Sequence, residues 1–262
     1  MPEIRTQRLT RFITPLREGG SMPALCEADD GFKYVVKLRG AGHGCKALVA
    51  ELLGGEVARA FKFRVPEAVF VGLDESFGRT EPDEEVQDLM RSSVGLNLGI
   101  HFLTGAVTAD PVVNTPDALT SSMVVWLDAF LTNVDRTVRN PNMLVRDNEL
   151  WLIDHGASFI FHHAMTDPVK AAMSPFPYIK EHAFLRYASR LEECDKIMRS
   201  KITPRTLCKI VGLLPDTWLQ PETAGGMTPV RQREMYSTFL TTRLANSSVF
   251  VNSAIDERRK LI

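Results

Sequence analysis

Four cysteines in 262 residues, Cys26, Cys45, Cys194 and Cys208, are too few and too scattered to frame a fold. No Cys-x-x-Cys pair exists, so neither a zinc site nor a dense disulfide framework is expected, and reduced, partly buried thiols are. An excess of one charge is also missing. Lys plus Arg number 31 against 32 Asp plus Glu, so nothing global points to nucleic acid or to an anionic membrane surface. Long apolar runs are absent as well. No segment approaches the roughly 18 apolar residues of a membrane span, and the opening MPEIRTQRLTRF lacks the apolar core of a signal peptide. A cytoplasmic location is the expectation. Neither an internal repeat nor a low-complexity stretch stands out. What remains is ordinary for a globular protein, 44% hydrophobic and 24% charged, and the length suits one enzyme-sized unit or two lobes sharing a cleft.

The pattern divides the chain near residue 103. Before it, TRFITPL, SMPALCEA, FKYVVKL and AVFVGL are short runs with β-branched or aromatic residues, punctuated by Gly, Pro and Asp. One helix, CKALVAELLGGEVARAFK, interrupts them, with a Gly-Gly break in its middle. Residues 74–90 are strongly acidic and read as a solvated loop and helix. TGAVTADPVVNTPD reads as a linker, after which Thr115 is the expected N-cap and Pro116 the first residue of a helix running to Asn133. Trp126 and Phe130 on that helix are expected in the core. From Pro175 onward three segments have helical spacing. The expected class is therefore α+β, with a small β-rich lobe over residues 1–103 and a mainly helical lobe over residues 104–262.

The chemistry concentrates in TNVDRTVRNPNMLVRDNELWLIDHGASF, residues 132–159. MLVR and LWLID flank Asp-Asn-Glu as the arms of a β-hairpin, which folds Asp154 back toward Asp135. An Asp followed five positions on by Asn140, then by a hairpin ending in Asp-x-Gly, is the arrangement that phosphoryl transfer uses. One Asp orients a hydroxyl, while Asn and the second Asp supply hard oxygens for Mg²⁺. The competing explanation is that Asp135, Asn140 and Asn142 cap turns. YVVKLRG weighs against it. That run sets Lys37 in an apolar strand, where an ammonium needs an anionic partner, and Glu51 on the following helix is positioned to provide one. An edge-strand lysine facing water is the alternative. Gly19, Gly20 and Ser21 lie between two strands, where small residues let backbone N–H groups approach phosphate, and a plain hairpin turn explains them equally well. RGAGHGCK fails both as a Walker A loop and as G-x-G-x-x-G because of Cys45. It reads as a strand-to-helix connection. His155, His162 and His163 have no metal-ligand spacing.

Together YVVKLRG, AELLGGEVARAFKFRVPEAVFVGL, DRTVRN and LIDHG resemble the HipA-like kinase family, in the family's order over residues 15–160. The resemblance implies a two-lobed protein-kinase-like fold with a nucleotide-binding lobe at residues 1–103. It implies that Lys37 contacts ATP phosphates, that Asp135 is the catalytic aspartate and that Asn140 and Asp154 ligate Mg²⁺. Gly19, Gly20 and Ser21 fall at the place of its phosphate loop. Thr137 departs from the pattern, since relatives often carry His near this point. The expected activity is transfer of the γ-phosphate to a protein Ser or Thr hydroxyl or to the enzyme itself. The alternatives are a small-molecule or lipid-headgroup kinase and a nucleotide-binding interaction module with little turnover. Adenine contacts are expected near SSVGLNLGIHFL, and Asn142 is expected to stabilise the turn around Pro141.

Overall fold

The computed structural model describes residues 3–16, 22–77 and 82–262. Gly19, Gly20 and Ser21 lie outside them. Strands β1 (Thr6–Pro15), β2 (Ala24–Ala28) and β3 (Lys33–Lys37) come first, followed by helix α1 (Cys45–Ala60), β4 (Ala68–Leu73), α2 (Glu84–Ser92) and β5 (Gly95–His101). The five strands form a closed barrel in the order β1-β2-β3-β5-β4, sealed by a parallel pairing of β1 with β4. Alternation along the strands turns Tyr34, Val36, Val69 and Val71 inward, where they are fully buried. Helix α2 is capped by Asp83, whose carboxylate accepts from the N–H groups of Glu85 and Val86. It lays Val86 and Met90 on the barrel core and leaves its acids in water.

Helix α1 differs from its expected form. It runs unbroken through Gly54 and Gly55, and it is buried on nearly every face from Leu48 to Ala58. Two glycines in a helix interior cost about 1 kcal/mol each relative to alanine. The reason for Gly54 is close approach: a Cβ there would lie 2.5 Å from Cβ of His155. Only glycine lets α1 meet the backbone at Asp154–Gly156 so closely.

After β5 comes β6 (Val107–Thr108), which pairs with β7 (Met143–Arg146), the partner of β8 (Glu149–Leu152). The expected linker thus contributes a strand. The β7–β8 turn is Asp147–Asn148, both with positive φ (52° and 63°), the pattern of a hairpin turn matched to strand twist. Helix α3 spans Ala118–Leu131. Its N-cap is Asp117 and not Thr115, because the Asp117 carboxylate accepts from the N–H groups of both Leu119 and Thr120. The Thr115 hydroxyl turns back to the Pro111 and Val112 carbonyls.

Helices α4 (Phe161–Ala164), α5 (Pro168–Ala172), α6 (Leu191–Lys201), α7 (Pro204–Val211), α8 (Pro229–Ala245) and α9 (Ser248–Arg259) complete the chain. Residues 179–187, expected as helix, carry only 3-10 turns, Pro177–Glu181 and Leu185–Tyr187. Their backbone is engaged elsewhere, since Ala183 N–H donates to the Arg136 carbonyl and Phe184 N–H to Nδ1 of His182. The larger core joins α1 to these helices. Trp126 stacks on Phe130, and both meet Phe61 and Phe250. Buried Arg243 donates to the Ala129 carbonyl at 2.8 and 3.1 Å and to those of Ala172 and Ser174, clasping the end of α3. Burial pushes its guanidinium down to about 9. Among the described residues no helix is long and apolar enough to cross a membrane.

Candidate active site

Three elements meet at Lys37. The lysine ends β3, Glu51 sits one and a half turns into α1, and Asp154 follows β8. Lys37 Nζ donates to Glu51 Oε2 at 2.8 Å and to Asp154 Oδ1 at 2.6 Å, a residue 117 positions away. Glu51 Oε2 also accepts the His155 N–H at 2.7 Å. Burial alone would pull the Lys37 pKa down, but the attraction of Glu51 and then Asp154 overrides it and holds the ammonium above its ordinary range. Burial raises Glu51 against the pull of Lys37, and Asp154 adds to the rise. Asp154, opposed by burial, is still lowered by Lys37. Its side chain is 44% exposed against 4% for Glu51, so Asp154 is the carboxylate that reaches solvent. Asp154 also has a positive φ of 52°, a conformation that aspartate tolerates better than most residues and that recurs at functional turns.

A second cluster centres on Asp135. Its Oδ2 accepts from Nδ2 of Asn140 at 2.8 Å and from Nδ2 of Asn142 at 3.2 Å. Because a carboxylate only accepts, both asparagines must direct their amide N–H groups at it, which turns the Asn140 Oδ1 outward. Among the described residues no donor reaches Asp135 Oδ1, Asn140 Oδ1 or Asp154 Oδ2. The loop is closed by Thr137, which exchanges hydrogen bonds with Asn140 through its N–H and its hydroxyl. Asn142 does more than support the turn at Pro141. It is nearly buried, has φ of 48°, and its carbonyl accepts from Ile153 N–H and from Arg136.

Arg136 joins the two clusters. Its guanidinium reaches the Asn142 carbonyl and the Ile153 carbonyl (3.2 Å), tying the Asp135 loop to the residue before Asp154. Asp128 on α3 anchors it: Asp128 Oδ2 accepts from Arg136 Nε at 2.6 Å and from His182 Nε2 at 2.9 Å, and Oδ1 from Asn133 at 3.0 Å. His182 Nδ1 accepts the Phe184 N–H, so its proton sits on Nε2. Burial disfavours charge on Asp128, but Arg136 and His182 outweigh it and hold the carboxyl far below its usual range. Asp128, Arg136 and His182 escaped the sequence reading. One signal was available: Asp128 interrupts the apolar run VVWLDAFL, and a charge among core residues needs a partner.

The remaining candidates lie elsewhere. RGAGHGCK lines a separate pocket of about 560 Å³ with Ser92, His163 and Gln220. His155 is wholly buried with no hydrogen-bond partner for either ring nitrogen among the described residues, and burial pushes it down to about 3, so the ring is neutral. His162 Nδ1 bonds the Tyr236 hydroxyl at 2.9 Å. β5 is paired on both sides, with β3 and β4, so its backbone groups are largely engaged within the barrel.

The family model described as HipA-like kinase matches residues 9–246. Among solved structures, the chain is similar to the proinflammatory kinase CtkA of Helicobacter pylori, at 12% identity and a TM-score of 0.55 over 99% of both chains. It also matches a Golgi casein kinase with Mn/ADP bound, at 13% identity and a TM-score of 0.48 over 97% of this chain and 74% of that one. The first likeness shows a protein-kinase-like fold of mixed helix and strand. A search of curated proteins finds no match.

Proposed function

The chain belongs to the HipA-like kinase family, and on that premise we propose that it is an ATP- and Mg²⁺-dependent phosphotransferase acting on a protein Ser or Thr hydroxyl or on itself. The observation that carries this reading is the Lys37 contact with both Glu51 and Asp154 beside an Asp135 pinned by Asn140. Lys37 would hold the ATP phosphates, with Gly19, Gly20 and Ser21 as further backbone donors. The outward Asn140 Oδ1 and the half-exposed Asp154 suit Mg²⁺, which takes few protein oxygens and fills its shell with phosphate and water. When bound, the ion offsets phosphate charge. Asp135 Oδ1 would accept the acceptor's hydroxyl proton as that oxygen attacks the γ-phosphorus and the bond to the β-phosphate oxygen breaks, releasing ADP. Arg136 and Asp128 keep Asp135 in position.

In this reading the chain divides at residues 103 and 104 into a nucleotide-binding lobe and a catalytic helical lobe. Adenine would meet the backbone just beyond β5, and the cytoplasm supplies the ATP. Asp135→Ala should lower phosphoryl transfer by about 10²- to 10⁴-fold while nucleotide binding, measured by calorimetry, is kept. Full transfer by this variant would remove Asp135 from the mechanism. Labelled ATP with protein, lipid and metabolite acceptors separates a protein kinase from a small-molecule or lipid-headgroup kinase. ATP binding without consumption would instead mark an interaction module.

A further inference from the structure

A groove of about 770 Å³ opens beside the loop that follows Asp135. One wall is Thr137, Val138 and Arg139, and the other runs from Lys180 to Tyr187. The backbone locks these walls together. Thr137 and His182 form a β-bridge, and Ala183 N–H donates to the Arg136 carbonyl at 3.0 Å. The groove is therefore held in fixed relation to Asp135.

Its chemistry is lopsided. Arg139, Lys180 and Arg186 are exposed along it, against one acid, Glu181, whose carboxylate stands 3.9 Å from Lys180 Nζ. Among the described residues neither the Arg139 nor the Arg186 side chain has a carboxylate partner. The groove also has apolar surface: Val138 is 61% exposed and Val112 70%, and Tyr187 lines it too.

We propose that this groove receives the acceptor polypeptide and selects acidic residues flanking the phosphorylated hydroxyl. The inference rests on the kinase reading above. The side of Asp135 toward Oδ2 is filled by Asn140 and Asn142, and the base of the loop is sealed by fully buried Arg136. A hydroxyl must arrive from the open side. An extended chain advances roughly 3.3–3.6 Å per residue, so positions a few residues from that hydroxyl cross the cationic walls. Carboxylates there pair with the two free guanidiniums, whereas lysines are repelled. The valines give an apolar side chain of the same peptide a place to lie. A lipid headgroup would use the cations and leave that apolar surface without a partner.

The test is steady-state phosphorylation of serine peptides flanked by acidic, basic or neutral residues, with the wild type and with Arg139→Glu/Arg186→Glu. The wild type should favour acidic flanks by about tenfold or more in kcat/KM, and the double reversal should invert the order. Unchanged nucleotide binding by calorimetry shows that the variant is folded. Equal use of acidic and basic peptides, a preference untouched by the reversal, or label passing only to phosphatidylinositol vesicles overturns the proposal and leaves the kinase reading standing. Absence of ATP consumption with every acceptor overturns both.

Discussion

Two ion networks flank Ile153, and they are built on opposite terms. In the Asp128–Arg136–His182 network the side chains are 0%, 0% and 2% exposed, and both carboxylate oxygens are occupied by donors. In the Lys37–Glu51–Asp154 network exposure rises from 4% at Glu51 to 15% at Lys37 and 44% at Asp154. The first is saturated and can only hold the backbone in place. The second leaves the Asp154 carboxylate partly in solvent and the Lys37 ammonium less so. Saturation and openness thus separate the two networks, although each pairs carboxylate with cation.

The largest way to break the contrast is to remove one member of each. Arg136→Met should lower stability by about 3–5 kcal/mol, because it leaves a buried carboxylate with only the Asn133 amide and His182 and no arginine. Urea unfolding measures it. Lys37→Met should cost clearly less, since Asp154 is half in water and Glu51, already raised, can take up a proton. A larger loss in Lys37→Met than in Arg136→Met would erase the distinction.

An acid titration sharpens the comparison next. Asp128 stays ionised far below the usual carboxylate range, so this carboxylate does not produce acid lability between pH 6.5 and 4. Buried His162 does. His162 is held well below its ordinary 6.5, by burial first and then by His163, Lys46 and His43. A base depressed in the folded state is protonated first in the unfolded chain, so stability is present above pH 6.5 and is lost as pH falls below it. The slope is up to about 1.4 kcal/mol per pH unit for each such group. Glu51, raised in the folded state, acts in the opposite direction over part of this window. Subtracting the profile of His162→Gln from that of the wild type isolates the histidine, and identical slopes would show that it contributes nothing.

The smallest effect concerns the contact that sets the open network. Gly54→Ala adds a methyl 2.5 Å from the His155 Cβ. Overpacking should cost about 1–3 kcal/mol, offset by about 1 kcal/mol of helix propensity. The net loss should be modest in thermal unfolding, accompanied by weaker nucleotide binding as α1 shifts Glu51 away from Lys37. A variant more stable than the wild type with unchanged binding would show that the close approach has no role.

Much of this organisation is legible in the chain itself. Residues alternating in period two mark the strands, and Asp147–Asn148 marks the hairpin turn. The Asp135–Asn140 spacing brings those two side chains into contact, and the family model covers residues 9–246. Local chemistry suffices for these because turn residues and strand periodicity act over a few positions. The same locality misleads at Gly54–Gly55, where helix propensity argues for a break, and at residues 179–187, where spacing argues for a helix.

Tertiary structure decided the long-range meetings of polar groups. Lys37 and Asp154 stand 117 positions apart and Asp128 and His182 54, and no short-range pattern encodes such pairs. Buried charge forces them together, since a carboxylate or ammonium taken out of water must find its partner wherever the fold brings one. Sequence determined the polar residues and their order; burial determined which of them are saturated by partners and which stay exposed to solvent.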